Sequence, residues 1–147
     1  MDLVLDNNII IDHIERREPF YELSRKVCLL GIIEEVNTYI SVNMLTDIHY
    51  LLSKDHGSQG AQDMIENNLS FLQLVGVTPE DVQRALSSRW EDFEDCLVMR
   101  CAEKIRADYI ITRNGKDFRN SSVEAITPEE LFVRLERQGV LYEEADW

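Results

Sequence analysis

Short apolar runs alternate along the chain with longer segments in which apolar residues recur every three or four positions. The apolar runs, which predict strands, are residues 3–5, 38–42, 71–77, 109–111 and 123–126. The predicted helices cover residues 20–36, 43–52, 59–69 and 93–105, and two more begin at Thr78 and Thr127. Strands separated by helices predict a mostly parallel sheet covered on both faces, which is an α/β fold.

Three positions carry residues that are typical of a helix start. Thr78 and Thr127 are each followed by proline and then by acidic residues, which predicts a threonine N-cap with proline at the first helical position. Asn43 is predicted to cap the helix that follows the second strand. His56 and Gly57 are predicted to end that helix before the next one begins.

The 147 residues and their 44% hydrophobic content predict a single domain with a sizeable core. Apolar residues are too frequent and too evenly spread for a disordered acidic chain. No apolar run reaches the roughly 20 residues of a membrane span, and the first residues lack the basic segment of a signal peptide. The cysteines form no paired motif, so we expect a reduced, cytoplasmic protein without a membrane segment.

The 28 acidic and 15 basic residues give a formal net charge of −13. This charge argues against nonspecific nucleic-acid binding through a uniformly basic surface. It leaves room for a local basic patch, because six basic residues fall within one segment of twenty. They are Arg100, Lys104, Arg106, Arg113, Lys116 and Arg119. The excess of carboxylates also fits a protein that binds divalent cations.

Acidic residues lie near the ends of several predicted strands. Asp6 directly follows the first strand, Asp47 lies one turn into the helix after the second, and Asp117 follows the fourth. Asp92 and Asp95 open the helix that leads into the fourth strand, and their spacing places them on one helix face. Because ligands bind at the carboxyl ends of strands in parallel sheets, these acids are candidates for a shared site.

Each of these acids also has a purely structural explanation. Asp92 and Asp95, taken alone, are equally well explained as helix-start residues that interact with the helix dipole. Asp47 alone fits a solvated helix residue, and Asp117 fits a residue of a tight turn. Asp6 is the hardest to explain in this way, because it ends an apolar strand and two amide side chains follow it.

Convergence of four carboxylates has an energetic consequence. Two like charges about 4 Å apart repel by about 4 kcal/mol at an effective dielectric of roughly 20, and the stability of a whole domain is only about 5–15 kcal/mol. A converging cluster must therefore bind cations or raise the pKa of some of its members. Oxygen ligands favour hard cations such as Mg²⁺ or Mn²⁺. One or two such ions can activate water for phosphodiester cleavage.

Other catalytic signatures are missing from the sequence. Neither a glycine-rich phosphate loop nor the glycine-flanked serine of a nucleophile elbow is present. His13, His49 and His56 lack metal-binding spacing with the cysteines, and we interpret them as structural or surface residues. Cys96 and Cys101 fall on an apolar helical stripe and are expected to be buried and unreactive.

Taken together, these segments resemble the PIN domain family, in particular the small prokaryotic PIN proteins similar to VapC-type toxins. Residues 3–12 resemble the first motif of the family, in which an asparagine stands two positions after an aspartate. Residues 41–52 resemble the second motif, and residues 92–118 resemble the third and fourth together. Residues 126–130 match the closing strand and helix, so the resemblance covers nearly the whole chain.

The resemblance implies a three-layer α/β/α sandwich with a central, mostly parallel sheet, formed as one PIN-like domain over residues 1–147. It also implies an acidic pocket that binds Mg²⁺ or Mn²⁺ and cleaves RNA. By position, Asp6 and Asp95 resemble the principal metal ligands and Asp117 a further ligand. Asp47 resembles the acid of the second motif, which gives a catalytic set of four aspartates.

The resemblance also assigns supporting roles to residues near these acids. Asn8 would brace Asp6, and Thr112 would orient the pocket. Asp92 and Asn114 are included as further supporting residues at the site. The residues expected to contact the RNA backbone are Arg113, Lys116 and Arg119.

These features lead to a hypothesis and one alternative. The hypothesis is a metal-dependent endoribonuclease, the toxin of a toxin–antitoxin pair, with a small antitoxin protein as its partner and RNA as its substrate. The alternative is a catalytically weak or inactive PIN-like module that binds a protein or RNA. Two departures from the family pattern support the alternative: the second-motif acid is Asp47 instead of glutamate, and Asn114 stands where many members carry aspartate.

A homodimer is also expected, because small PIN proteins that this chain resembles are commonly dimers. The N-terminal helices carry apolar stripes that are predicted to supply part of a two-fold interface. The residues of these stripes are Phe20, Leu23, Val27, Leu30, Leu51 and Leu52.

Overall fold

A computed structural model describes residues 1–140, so residues 141–147 of the predicted domain lie outside the described residues. The strands are β1 (Asp2–Leu5), β2 (Asn37–Ser41), β3 (Leu72–Val75), β4 (Tyr109–Ile111) and β5 (Ala125–Ile126). The α-helices are α1 (Asn7–Ile14), α2 (Tyr21–Ile32), α3 (Met44–Asn68), α4 (Pro79–Ser88), α5 (Phe93–Ile105) and α6 (Pro128–Arg137). A short 3₁₀ helix, Gly115–Phe118, follows β4.

The strands form one parallel sheet in the order β3-β2-β1-β4-β5. Leu3 of β1 pairs with Thr38 of β2 on one side and with Tyr109 of β4 on the other. Helices cover the sheet in a three-layer α/β/α arrangement. The predicted fold class is therefore confirmed, and every strand pairing among the described residues is parallel.

The most deeply buried side chains lie at the centre of the sheet. Leu3, Val4 and Leu5 of β1 and Ile110 and Ile111 of β4 are all fully buried. Both strands have neighbours on each side and helices over each face, so their side chains are buried whichever way they point. This explains why both strands are continuous apolar runs without polar alternation.

The path of the chain through the sheet reverses between β1 and β4. Strands β1, β2 and β3 progress toward one edge, whereas β4 and β5 lie on the other side of β1. In such sheets, the carboxyl ends of the strands beside the reversal form a crevice in which ligands bind. Asp6 directly follows β1 and Thr112 directly follows β4, so both residues lie at this crevice.

Helix α1 is absent from the sequence-based prediction. It contains three consecutive isoleucines, Ile9 to Ile11, and all of them are buried together with Asp12. A helix that is apolar on several faces lacks the periodic pattern of a surface helix, and consecutive isoleucines also favour strands. Burial beneath neighbouring elements, which the local sequence does not encode, therefore decides the conformation of this segment.

Helix α3 covers both of the helices predicted for residues 43–52 and 59–69 and the break predicted between them at Gly57. Its backbone leaves the helical conformation at Gly57, where φ is 71° and ψ is 171°, a region that is accessible essentially only to glycine. Asn43 stands at the N-cap position of α3 as predicted, but its side chain makes no capping hydrogen bond. The Asn43 side-chain oxygen instead accepts a hydrogen bond from the Ser41 hydroxyl.

The helix starts predicted at Thr78 and Thr127 are confirmed. The Thr78 hydroxyl accepts a hydrogen bond from the backbone N–H of Asp81 (3.2 Å), and the Asp81 carboxylate accepts one from the Thr78 backbone N–H (2.9 Å). Thr127 and Glu130 make the same reciprocal pair at 3.2 and 2.8 Å. Each pair satisfies two backbone donors that the first turn of a helix leaves without partners.

The apolar stripes predicted to form a dimer face contribute largely to the core. Val27 and Leu52 are fully buried and Leu30 is 3% exposed, so these three residues of the stripes are not available to a second copy. They pack instead within the hydrophobic cluster around the sheet. Within residues 1–140, no helix combines the length and apolar character that crossing a membrane requires.

A buried ion pair connects α1 to the loop after β4. Asp12 is fully buried, and its carboxylate lies 2.7 Å from Nε of Arg113, whose Nη2 also donates to it at 3.3 Å. The guanidinium stacks over the ring of Phe20, 4.0 Å from the ring centroid. This contact fixes the first residue after Thr112, and hence the start of the loop that leaves the crevice.

We expect an Asp12→Asn substitution to lower the free energy of unfolding by about 1–3 kcal/mol, because it leaves the partly buried Arg113 cation without its counter-ion. Urea denaturation measures this change. Glu80→Gln, which breaks the exposed Glu80–Arg84 pair on α4, is the matched control and should cost less than about 1 kcal/mol. Equal losses in the two variants would contradict a specific role for the buried pair.

Candidate active site

Asp6 occupies the end of β1 and is almost completely buried, with 5% exposure. Its carboxylate accepts hydrogen bonds from the Thr112 hydroxyl (2.7 Å), the Asn8 side-chain amide (3.2 Å) and the Asn7 backbone N–H (2.8 Å). Donors from α1 and from the residue after β4 therefore fix the orientation of this carboxylate. Asn8 and Thr112, which the sequence predicts to be supporting residues, both contact it directly.

Thr112 links the strand ends on both sides of the crevice. Its hydroxyl donates to Asp6 and accepts a hydrogen bond from the Asn114 backbone N–H at 3.0 Å. Its own backbone N–H donates to the carbonyl of Ile126 in β5 at 3.0 Å. The fully buried Thr112 side chain thus aligns the loop after β4 with the end of β1.

The amino-terminal end of α5 contributes several acids to the same crevice. Asp92 is the N-cap residue, and its carboxylate accepts a hydrogen bond from the Asp95 backbone N–H at 3.0 Å. Asp92 therefore has the capping role that the sequence allowed. The partly buried Asp95 carboxylate forms no hydrogen bond or ion pair with the rest of the described chain.

The electrostatics of Asp95 show that these acids are close neighbours. Burial, together with the negative charges of Asp6, Asp92, Asp117 and Glu94, raises the pKa of Asp95 to about 7. Burial also raises the pKa of Asp6, and this outweighs the hydrogen bonds that favour its charged form. The crevice therefore gathers more negative charge than its own donors neutralise.

Glu94 is a member of this cluster that sequence reasoning missed. Burial and the nearby Asp47 carboxyl group raise the pKa of Glu94 to about 7. The side-chain amide of Asn7 also approaches Glu94 at 3.5 Å. The sequence feature that could have identified Glu94 as a site residue is its position between Asp92 and Asp95 in the first turn of α5. Asp47 therefore belongs to the same cluster of acids, because it lies next to Glu94.

The loop after β4 carries Asn114 and Asp117 at the solvent side of the crevice. The backbone N–H of Asp117 donates to the carbonyl of Asn114 at 3.0 Å, which closes the first turn of the 3₁₀ helix. Both side chains are exposed. Asp117 nevertheless lies near enough to Asp6 and Asp95 for its charge to raise the pKa of both.

The basic residues predicted to contact RNA differ in their surroundings. Arg113 is held by Asp12 and Phe20, a long-range arrangement that its sequence neighbours do not indicate. Lys116 and Arg119 are exposed, and neither forms an ion pair with any residue between 1 and 140. They line a pocket beside the acids, together with Asp92 and Asp117.

The acids match a hard divalent cation in chemistry and charge, because they provide carboxylate oxygens in a partly buried site. The Asn8 side-chain oxygen beside Asp6 is buried and has no partner within the described chain, which leaves a further oxygen donor available. Among residues 1–140, however, no three His, Cys, Asp or Glu side chains are arranged to hold one ion.

Comparison with known proteins identifies relatives of this chain. The sequence model of the family described as PIN domain matches residues 2–116. Ribonuclease VapC1 from Aquifex aeolicus (strain VF5) is 24% identical over 135 residues, which cover 88% of this chain and 92% of that protein.

Solved structures with the same fold come from toxin–antitoxin systems. VapBC2 from Rickettsia felis, bound to a DNA fragment from its promoter, has a TM-score of 0.65 at 19% identity, covering 86% of this chain and 98% of that one. A toxin–antitoxin complex from Klebsiella pneumoniae has a TM-score of 0.64 at 23% identity, with 86% and 97% covered. Mycobacterium tuberculosis VapC20, a toxin that cleaves the sarcin–ricin loop, has a TM-score of 0.59 at 13% identity, with 74% and 86% covered.

We expect the raised pKa values of the acids to give a characteristic pH dependence in the presence of a chelator. Asp95, with a pKa of about 7 in the native state, holds a proton that the unfolded chain releases near pH 4. Its contribution to stability is therefore present below about pH 4 and is lost as the pH rises through about 7. An Asp95→Asn variant should gain stability relative to the unmodified protein over this interval.

Urea denaturation at a series of pH values measures the difference between the two proteins. Asp55→Asn, which changes an exposed residue of α3 that makes no contact with the acids, controls for a general effect of net charge. A difference between Asp95→Asn and the unmodified protein that stays constant from pH 4 to pH 8 would show that Asp95 is not perturbed.

Proposed function

Because the chain belongs to the PIN domain family, we propose that it is a divalent-metal-dependent endoribonuclease whose catalytic residues are Asp6, Asp47, Asp95 and Asp117. The observation that carries this proposal is the gathering of these acids at the crevice where the sheet order reverses, with the pKa of Asp6 and Asp95 raised. The likeness to Ribonuclease VapC1 along most of both chains supports RNA as the substrate.

Asp6, Asp95 and Asp117 are the residues that would hold Mg²⁺ or Mn²⁺. When bound, such an ion supplies an activated water and stabilises the negative charge that develops on the phosphate. The chain itself supplies orientation: Thr112 and Asn8 hold the Asp6 carboxylate in place through their hydrogen bonds. Lys116 and Arg119 supply positive charge at the rim, where they can contact phosphates of the RNA backbone.

A binding module that does not cleave remains the second candidate. Two features favour it: Asp47 lies beside Glu94 and helps to raise the pKa of Glu94, and Asn114 is an exposed amide where the resemblance to the family implies a carboxylate. Both features reduce the negative charge that is available to a cation. RNA cleavage would support the nuclease and exclude the binding module if it required metal and disappeared when one carboxylate was removed.

We also propose a small antitoxin protein as a partner, because solved structures with this fold are toxin–antitoxin complexes. The homodimer stays a prediction. Its interface would have to use surface residues other than Val27, Leu30 and Leu52, which are buried. These proposals place the protein in the cytoplasm, where its RNA substrate is found.

We expect Asp6→Asn and Asp95→Asn each to abolish Mn²⁺-dependent cleavage of a mixed RNA pool. The substitution keeps the size of the side chain but removes the charge that a cation requires. Asp47→Asn and Asp117→Asn should lower activity less, on the order of tenfold to a hundredfold, as expected for weaker or supporting contacts. The measurement is the initial rate of RNA cleavage in gel assays.

Asp55→Asn again serves as the matched control and should cleave at the rate of the unmodified protein. Urea denaturation of each variant excludes loss of fold as the reason for lost activity. Full activity of Asp95→Asn, with unchanged metal affinity, would overturn the assignment and favour the binding module.

We further expect Mn²⁺ or Mg²⁺ to raise the melting temperature, because binding to the native state alone stabilises it. A concentration of about 100 times the dissociation constant adds about 2.7 kcal/mol, which corresponds to roughly 5–10 °C for a chain of this size. Thermal melts with each ion and with chelator measure the shift. Asp95→Asn should lose most of the shift, and identical curves for the unmodified protein with and without ions would exclude a metal site.

A further inference from the structure

A concave pocket of about 290 Å³ lies directly beside the acids. We call it the Trp90 pocket. Its lining residues are Trp90, Glu91, Asp92, Lys116, Asp117, Arg119 and Asn120. Its volume is at the lower limit of the range for small-molecule sites, which is roughly 300–1,000 Å³, and so matches a ligand of about one nucleotide.

We propose that the Trp90 pocket binds one unstacked nucleobase of a single-stranded RNA, with the base stacked on the indole of Trp90 and the adjoining phosphates near Lys116 and Arg119. This inference rests on the proposed function, because it assigns a subsite of the RNA substrate. It adds an aromatic recognition element, Trp90, next to the acids that would bind metal and sharing Asp117 with them.

Trp90 is fixed in place by the protein core. Its ring meets that of Phe118 edge to face, with the ring centroids 6.2 Å apart and an angle of 81° between the planes. Phe118 is 3% exposed and anchors the contact. The half-buried indole thus lines the pocket as a preformed aromatic surface, on which any of the four bases can stack.

The positive charges of the pocket are available to a ligand. Elsewhere in the same segment, Arg100 and Lys104 pair with Asp81, and Arg113 pairs with Asp12. Lys116 and Arg119, by contrast, make no ion pair with a described residue, although the chain carries a large excess of acids. Glu91, Asp92 and Asp117 also line the pocket, but neither cation forms an ion pair with them. A cation beside an aromatic side chain matches the two chemical parts of a nucleotide, the phosphate and the base.

The position of the pocket connects it to the proposed chemistry. Asp92 and Asp117 belong both to its lining and to the set of acids that raise the pKa of Asp95. A base held in the pocket therefore places its own backbone beside the catalytic acids. Bases within a duplex are stacked and paired, so they reach a concave pocket only after they are unstacked.

The test follows fluorescence from Trp90 on addition of a short RNA. The chain contains two tryptophans, Trp90 and Trp147, so a full-length Trp147→Phe protein reports on Trp90 alone. The probes are hexauridylate, hexaadenylate and an abasic hexamer with the same ribose-phosphate backbone, each in Ca²⁺, which also prefers oxygen ligands. Both base-containing RNAs should quench the emission of Trp90, and the abasic hexamer should not.

Substitutions then measure how much the pocket contributes to binding. Trp90→Ala should weaken RNA binding and raise KM for cleavage in Mn²⁺ by about tenfold, with kcat nearly unchanged, because a stacking contact holds substrate and transition state alike. Trp90→Phe should keep most of the affinity. Tyr50→Ala, which removes an exposed aromatic residue of α3 outside the pocket, should change neither parameter.

A second pair of variants tests the cations. Arg119→Gln should weaken binding of the base-containing and abasic hexamers by similar factors, since it removes a phosphate contact. Arg106→Gln removes an exposed cation of the same segment that does not line the pocket, and should have no such effect. Urea denaturation of Trp90→Ala checks its fold, and the comparison of probes on protein with intact Trp90 tests the proposal independently of that variant.

The possible outcomes separate this inference from the proposed function. RNA cleavage without quenching of Trp90, and with an unchanged KM in Trp90→Ala, would overturn the subsite and leave the nuclease intact. Equal quenching by the abasic hexamer would also overturn it, because the signal would then come from the backbone. Quenching that requires bases, without any cleavage, would support the subsite and exclude the nuclease. A protein that neither binds nor cleaves RNA would overturn both.

Discussion

Mutual repulsion between carboxylates is the constraint around which the site is built. The negative charges of Asp92 and Asp117 help to raise the pKa of Asp6. Those of Asp6, Asp92, Asp117 and Glu94 help to raise the pKa of Asp95. The buried strands β1 and β4 provide the rigid framework, and Thr112 joins their ends through a hydrogen bond to Asp6.

The same repulsion explains why uncharged hydrogen-bond donors and the amino-terminal end of a helix surround the acids. Asn8 and Thr112 donate hydrogen bonds to Asp6 without adding charge, and Asp92 caps α5. The amino-terminal end of α5 points its unpaired backbone donors and its positive dipole end toward the acids of its first turn. The site thus combines groups that repel one another with backbone elements that favour negative charge.

The sequence predicts the parts of the fold that local patterns determine. The fully buried strands appear as continuous apolar runs, and Thr78 and Thr127 mark helix starts, because their partners stand three residues away. Helix α1 and the Asp12–Arg113 pair escape prediction because they depend on segments that are distant in sequence. The two members of that pair are 101 positions apart, and no local pattern links them.

In the candidate site, too, local sequence patterns predict some residues, whereas others depend on segments that are distant in sequence. Its aspartates are predictable from their positions after strands, since the topology of a parallel sheet brings strand ends together. Glu94 is missed because an acid in the first turn of a helix already has a structural explanation. Trp90 is missed because its significance depends on Phe118 and on the shape of a pocket formed by two separate segments.

The first turn of helix α5 contributes to the site, whereas the turns that follow pack into the core. The residues 92–95 at its start contribute three of the acids of the site and are at least partly exposed, whereas the next four residues, 96–99, are all buried in the core. Beyond them, Lys104 ties the far end of the helix to Asp81 and to the carbonyl of Gly76. Mutations in the first turn can therefore alter what the site binds while selection on folding acts on the turns behind it, so this scaffold can diversify in activity without first losing its fold.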